Sequence, residues 1–236
     1  MVGDVKQLDT FKGSLPEVCI PLGFGSALLH ASRATGEGVA QVYLTKTFRF
    51  HPEIAKFLSE LCYEGKLETT ITEDQRPYMS QLSNRELPIV LANVLGKCEP
   101  AFPTSRTNKT HTKAAVWLAN EAKKKLPECT IVILTFYNGQ RDEIMEALGE
   151  TSIEVTSIDA FQGKEADIII LVTTSTDKFA KTFIDDQQRL TVAFSRARSG
   201  MFVIGYAEAL RQLPNWGKFI QKLKDKNNIV NLVDLR

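Results

Sequence analysis

Three stretches of this chain carry apolar residues at successive rather than alternate positions: Ile-Val-Ile-Leu within 130–135, Ile-Ile-Ile-Leu-Val within 168–173, and Met-Phe-Val-Ile within 201–205. A strand written this way has no face to turn to water. It must be covered on both sides, the situation of a parallel sheet with helices packed on either face. A shorter strand-like run falls at 154–157. Stretches of helical periodicity alternate with these runs, so the expected fold class is α/β: one parallel sheet sandwiched by helices, not an antiparallel sandwich.

The clearest helical pattern spans 112–126, where Ala115, Leu118, Ala119, Ala122 and Leu126 share one face and Lys123 to Lys125 close the last turn. Cations there suit the helix dipole, and the run reads as a solvated helix end rather than a binding patch. Further helices are expected at 139–148 and 187–198, at 53–62 with Pro52 in the first turn, and at 216–224 after Pro214. Residues 64–110 carry scattered turn signals and are expected as loops with one short strand near 87–91. The chain divides into an N-terminal connector (1–40, with a helix near 26–34), a main domain (41–210), and a C-terminal helix and tail (211–236).

Charge and cysteine content narrow the class. The 236 residues carry 29 basic and 28 acidic side chains, a net charge of +1, so any groove for nucleic acid has to be local. Cys19, Cys62, Cys98 and Cys129 lie far apart and form no pair or Cys/His cluster at zinc spacing. Reduced thiols without a metal are expected. The N-terminus has no apolar core of a signal peptide, and no apolar stretch reaches membrane-spanning length, so the expectation is a cytoplasmic or nuclear protein.

Chemistry concentrates in five segments. Ser157-Ile-Asp-Ala-Phe-Gln-Gly-Lys-Glu165 is a polar, glycine-containing loop between two apolar strands, and loops at strand ends are where such sheets build ligand sites. Arg189-Leu-Thr-Val-Ala-Phe-Ser-Arg-Ala-Arg198 places three arginines beside an apolar helical face, directly before a buried strand. Phe48-Arg-Phe-His-Pro52 leads into a helix; His51 has no partner at metal spacing and reads as a structural histidine. Thr135-Phe-Tyr-Asn-Gly-Gln140 follows a strand, and Gly3-Asp4-Val-Lys-Gln7-Leu8 opens the chain.

In this order, G-D-x-x-Q-L, F-R-F-H-P, T-x-Y-x-x-Q, S-x-D-A-F-Q-G-K-E and R-L-x-V-A-x-S-R-A-R resemble the later motifs of superfamily 1 helicases of the nonsense-mediated-decay, Senataxin and immunoglobulin-mu-binding type. Any one motif would be weak; the ordered set is specific. The resemblance implies a second RecA-like lobe that completes an ATP site held by a first lobe. It assigns Arg49 and Arg196 to the γ-phosphate as charge-assisted donors, with Gln7 as its sensor. Phe48 would lie beside the base and Glu165 near the nucleotide ribose, with Gly163 a further cofactor-binding position. The implied contacts to a single-strand backbone are Thr135, Tyr137, Asn138, Gln140, Ser157 and Asp159.

Four positions depart from the family pattern: Phe48 replaces a tyrosine, Phe50 a methionine, Thr191 an asparagine, and His111 an acidic residue. No GxxxxGK[ST] phosphate loop occurs in the sequence. ATP with magnesium is therefore expected only together with a first lobe supplied in cis or trans, and residues 1–10 read as a remnant of such a lobe. The implied partners are single-stranded RNA or DNA and that first lobe, with the chain itself a monomer inactive in isolation. The alternative is a non-catalytic binding module derived from such a helicase. A P-loop encoded upstream of Met1 would favour the motor reading.

Overall fold

A computed structural model describes residues 3–8, 16–19, 26–32, 42–83, 85–101, 104–176 and 181–232. The strands are β1 (Lys46–Thr47), β2 (Glu68–Thr69), β3 (Ile89–Asn93), β4 (Glu99–Ala101), β5 (Ser105–Thr107), β6 (Ile131–Thr135), β7 (Glu154–Ser157), β8 (Ala166–Val172), β9 (Ala197–Gly205) and β10 (Ile229–Asn231). The helices are α1 (Ala27–Ser32), α2 (Pro52–Cys62), α3 (Tyr78–Leu82), α4 (Lys109–Lys125), α5 (Asn138–Leu148), α6 (Lys181–Ile184), α7 (Gln187–Phe194), α8 (Ala207–Leu210) and α9 (Pro214–Asp225).

Six strands form one sheet in the order β10-β3-β9-β8-β6-β7, with every pairing parallel. Successive apolar residues divide between the two faces. Val132, Leu134, Ile169, Leu171, Met201 and Val203 join Phe57, Phe194, Trp216 and Phe219 of α2, α7 and α9. Ile131, Ile133, Ile168, Ile170, Phe202 and Ile204 join Ala115, Leu118, Ala119 and Ile144 of α4 and α5. The unbroken apolar runs thus feed two cores with period-two alternation, as a doubly covered sheet requires. This is the parallel α/β sheet covered by helices on both faces that the apolar runs lead one to expect.

Helix starts are fixed by local chemistry. The Asn108 side chain accepts from Thr110 N and His111 N at the head of α4, Asp186 accepts from Arg189 N at α7, and Pro52 enters the first turn of α2 behind a His51 cap. On the first face, Phe194 stacks on Phe219 at 4.7 Å, and Trp216, fully buried, satisfies its indole N–H on Ile184 O at 2.8 Å.

Three expectations change. The helix expected over 187–198 stops at Phe194, and Ala197–Gly205 is a strand whose first residue pairs with Ala166. Residues 64–110 are more ordered than loops: they hold α3, the inner strand β3 and the antiparallel β4–β5 hairpin. After 210, the expected C-terminal helix is α9, which closes one core, and the tail holds a strand that was not expected, β10, paired with β3.

Candidate nucleotide and single-strand sites

The residues expected to act on nucleotide gather at the amino ends of β8 and β9. Glu165 and Arg196 each directly precede the first residue of their strand. The segment leading into α2 runs alongside, with His51 N donating to Arg198 O at 2.8 Å. This brings Arg49 to the same edge, where its Nε pairs with Glu165 and its Nη1 donates to Ser195 O at 3.0 Å. Arg49 and Arg196, distant in sequence, become neighbours.

The two arginines differ in environment. Arg49 has 28% of its side chain exposed. Arg196 is 1% exposed and donates to Val192 O (2.9 Å), Lys164 O (3.1 Å), Ser195 Oγ (2.7 Å) and Gln7 Oε1 (3.2 Å). Burial, with the Arg49 charge in second place, pulls its pKa down to about 10, so it remains a cation at neutral pH.

Gln7 reaches Arg196 because the opening segment docks on the lobe. Its amide nitrogen donates to Asp4 Oδ2 at 2.9 Å, and the same oxygen accepts from Tyr63 Oη at 2.7 Å. Burial and the Asp4 carboxylate push the Tyr63 phenol well above its ordinary range, so it stays a donor. Gln162 and Gln188 donate to the Leu8 and Val5 carbonyls at 3.2 and 3.3 Å. A cleft of about 300 Å³ lies between this segment, Leu28 and Leu29, and the two glutamines. Asp4, Tyr63 and Ser195 were not among the expected site residues; Asp4 and Ser195 lie inside two of the motifs, whereas Tyr63 lies in none of them.

Phe48 projects from the same region with 68% of its surface exposed, and Gly163, with φ of +84°, forms an exposed turn before Glu165. His51 is structural: it is buried and its Nδ1 accepts from Glu53 N at 3.2 Å. Arg198 pairs with Asp167 at 2.6 Å and approaches Glu165 at 3.7 Å. Among the described residues, no group of three or more His, Cys, Asp or Glu side chains is placed to hold a metal ion.

The expected single-strand contacts sit at the opposite, carboxyl edge, where Thr135 and Ser157 are paired in register. The length of β8, seven residues, separates the two edges by about 20 Å. Asn138 and Asp159 are exposed, while Tyr137 and Ser157 are half-buried. Thr135 and Gln140 are different: both have 0% exposure. Gln140 accepts from Asn108 N at 2.8 Å and donates to Thr112 Oγ1 at 2.7 Å, and Thr135 Oγ1 donates to Tyr137 O at 3.2 Å. They shape the edge from inside rather than presenting a polar atom on it. Asp159 holds Arg189 through two bonds, at 2.8 and 3.1 Å. The loop 158–165 therefore runs from the carboxyl edge to the amino edge, and the three arginines of its partner segment have separate partners instead of forming one basic patch.

Residues 27–208 match the family described as AAA domain. The chain belongs to that family. Among curated relatives of this AAA domain, regulator of nonsense transcripts 1 of Dictyostelium discoideum is 32% identical over 98% of the chain. An uncharacterized ATP-dependent helicase of Caenorhabditis elegans is 29% identical over 99% of it. ATP-dependent helicase upf1 of Schizosaccharomyces pombe is 31% identical over 79%. The chain spans 18%, 16% and 22% of those three proteins. It is a helicase-family AAA domain related to ATP-dependent helicases of the Upf1 type. No helix among the described residues is long and apolar enough to cross a membrane.

Proposed function

We propose that this chain is the second motor lobe of an ATP-dependent RNA/DNA helicase, acting on ATP held by a first RecA-like lobe. The observation that carries this reading is the convergence of Arg49, Arg196, Gln7 and Glu165 on one edge of the sheet. A guanidinium fork suits a phosphate, and the donor set at this edge fits an anion with several oxygens. ATP supplies the phosphoryl group, and the residues of this lobe supply fixed positive charge where negative charge develops.

Arg49 is the residue that reaches outward. Its bond to Glu165 holds the side chain ordered at the edge until a phosphate competes for it. Arg196 acts from within: it fixes the loop before Glu165 through Lys164 O and links the edge to Gln7. Phe48 offers an exposed ring beside this cluster for the nucleobase, and Gly163 gives the loop the turn that brings Glu165 to the edge.

At the carboxyl edge, Tyr137, Asn138, Ser157 and Asp159 contact the single strand, with Thr135 and Gln140 positioning them. Such contacts need no strong positive charge, consistent with a net charge of +1. The test is to join this chain to the ATP-binding lobe of an Upf1-type relative and measure hydrolysis. Joined, the two should give turnover stimulated by single-stranded RNA or DNA that neither piece shows separately. No gain on joining, with both lobes folded, would overturn the reading.

A further inference from the structure

At the carboxyl edge, three side chains from separate elements meet on the surface. The Tyr137 and Phe183 rings lie 5.2 Å apart, tilted by 36°. The Arg189 guanidinium carbon stands 4.3 Å from the Phe183 ring centre. Arg189 also donates to both carboxylate oxygens of Asp159, and its backbone N–H to Asp186 at 2.7 Å. Even so, Phe183 keeps 40% of its surface in water.

The ring is thus packed against Tyr137 and Arg189 and still open to solvent. With Arg189 bound to Asp159, the patch offers little net charge to a phosphate. What it offers is an aromatic surface that a cation backs on one side and a second ring meets obliquely. That chemistry matches the face of a nucleobase, which stacks on aromatic rings whatever its hydrogen-bonding edge. Two proposed strand contacts, Tyr137 and Asp159, are themselves part of the assembly, so a strand lying on this edge would bring a base within reach of the ring.

We propose that Phe183, backed by Arg189 and Tyr137, is a stacking shelf for one base of the bound single strand. The proposal rests on the nucleic-acid reading above and adds to it a residue that grips a base, where the others grip the backbone. Two bonds to Asp159 hold the guanidinium in place, so the shelf is ordered before the strand arrives.

The test is fluorescence anisotropy of the chain with a labelled single-stranded RNA and with a strand of equal length built from abasic sugar-phosphate units. Phe183→Ala should weaken binding of the intact strand by about 5- to 150-fold and leave the abasic strand unaffected. Phe183→Trp, with a larger ring, should bind the intact strand at least as tightly as the wild type. Circular dichroism melts of each variant verify the fold. Equal binding of the intact strand by wild type and Phe183→Ala would overturn the shelf and leave the nucleic-acid reading standing. An equal loss on both strands would also overturn it. If the wild-type chain binds neither strand, the nucleic-acid reading itself fails, and the shelf with it.

Discussion

Arg196 illustrates what a buried cation does in this lobe. Its guanidinium is enclosed and bonded to two backbone carbonyls, a hydroxyl and the Gln7 amide. Arg196→Met would leave those carbonyls without their donor in a dry site, so a loss of about 3 kcal/mol in urea unfolding is expected. An unchanged midpoint would mean that the arginine is not held as described. His111 gives a second prediction at this scale. It is fully buried, its Nε2 lies 3.0 Å from Val94 O, and burial depresses its pKa from 6.5 to about 4. The unfolded chain therefore binds more protons between these values. The stability that depends on the neutral imidazole is complete above pH 6.5 and is lost progressively as pH falls towards 4, roughly 3 kcal/mol in all. Unfolding free energies at pH 7 and pH 4.5 should differ more for the wild type than for His111→Gln; identical pH profiles would contradict the assignment.

At the scale of elements, much was legible because the strands announce themselves. The runs at 154–157 and 201–205 end where β7 and β9 end, and the unbroken Phe202-Val203-Ile204 of β9 suits a strand covered on both faces. What escaped is also instructive. Residues 195–198 continue a helical pattern on paper, yet pairing with β8 begins at Ala197 and overrides it. Polar Gln140 follows a strand, as a ligand-binding residue would, but its amide is consumed in tying α5 to the head of α4. A sequence shows that a residue is polar and not which partner it finds. The C-terminal helix is a further case: it is legible as a helix but not as core, and Trp216 and Phe219 of α9 complete the aromatic cluster. Trp216→Ala should therefore cost about 3–5 kcal/mol, a penalty that no peripheral helix would impose. Chemical denaturation measures it, and a loss below about 1 kcal/mol would place α9 outside the cooperative unit.

Across the whole molecule, the arrangement of functional groups follows from a parallel sheet with two distinct ends. Arg49, Glu165 and Arg196 occupy the amino edge, while Tyr137, Asn138 and Asp159 occupy the carboxyl edge. The loop 158–165 joins them, bonded to Arg189 at one end and to Arg49 at the other. The separation of these residues to two edges, and the greater exposure of Arg49 than of Arg196, follow from strand direction and burial and are not legible in the order of the motifs. The measurement that bears most directly on this account is steady-state ATP hydrolysis by the chain joined to an ATP-binding first lobe, comparing wild type with Arg49→Ala in saturating single-stranded RNA. Loss of a trans-acting arginine should lower kcat by about 1,000-fold or more while KM for ATP changes far less. An Arg49→Ala enzyme that turns over at the wild-type rate would contradict the central claim.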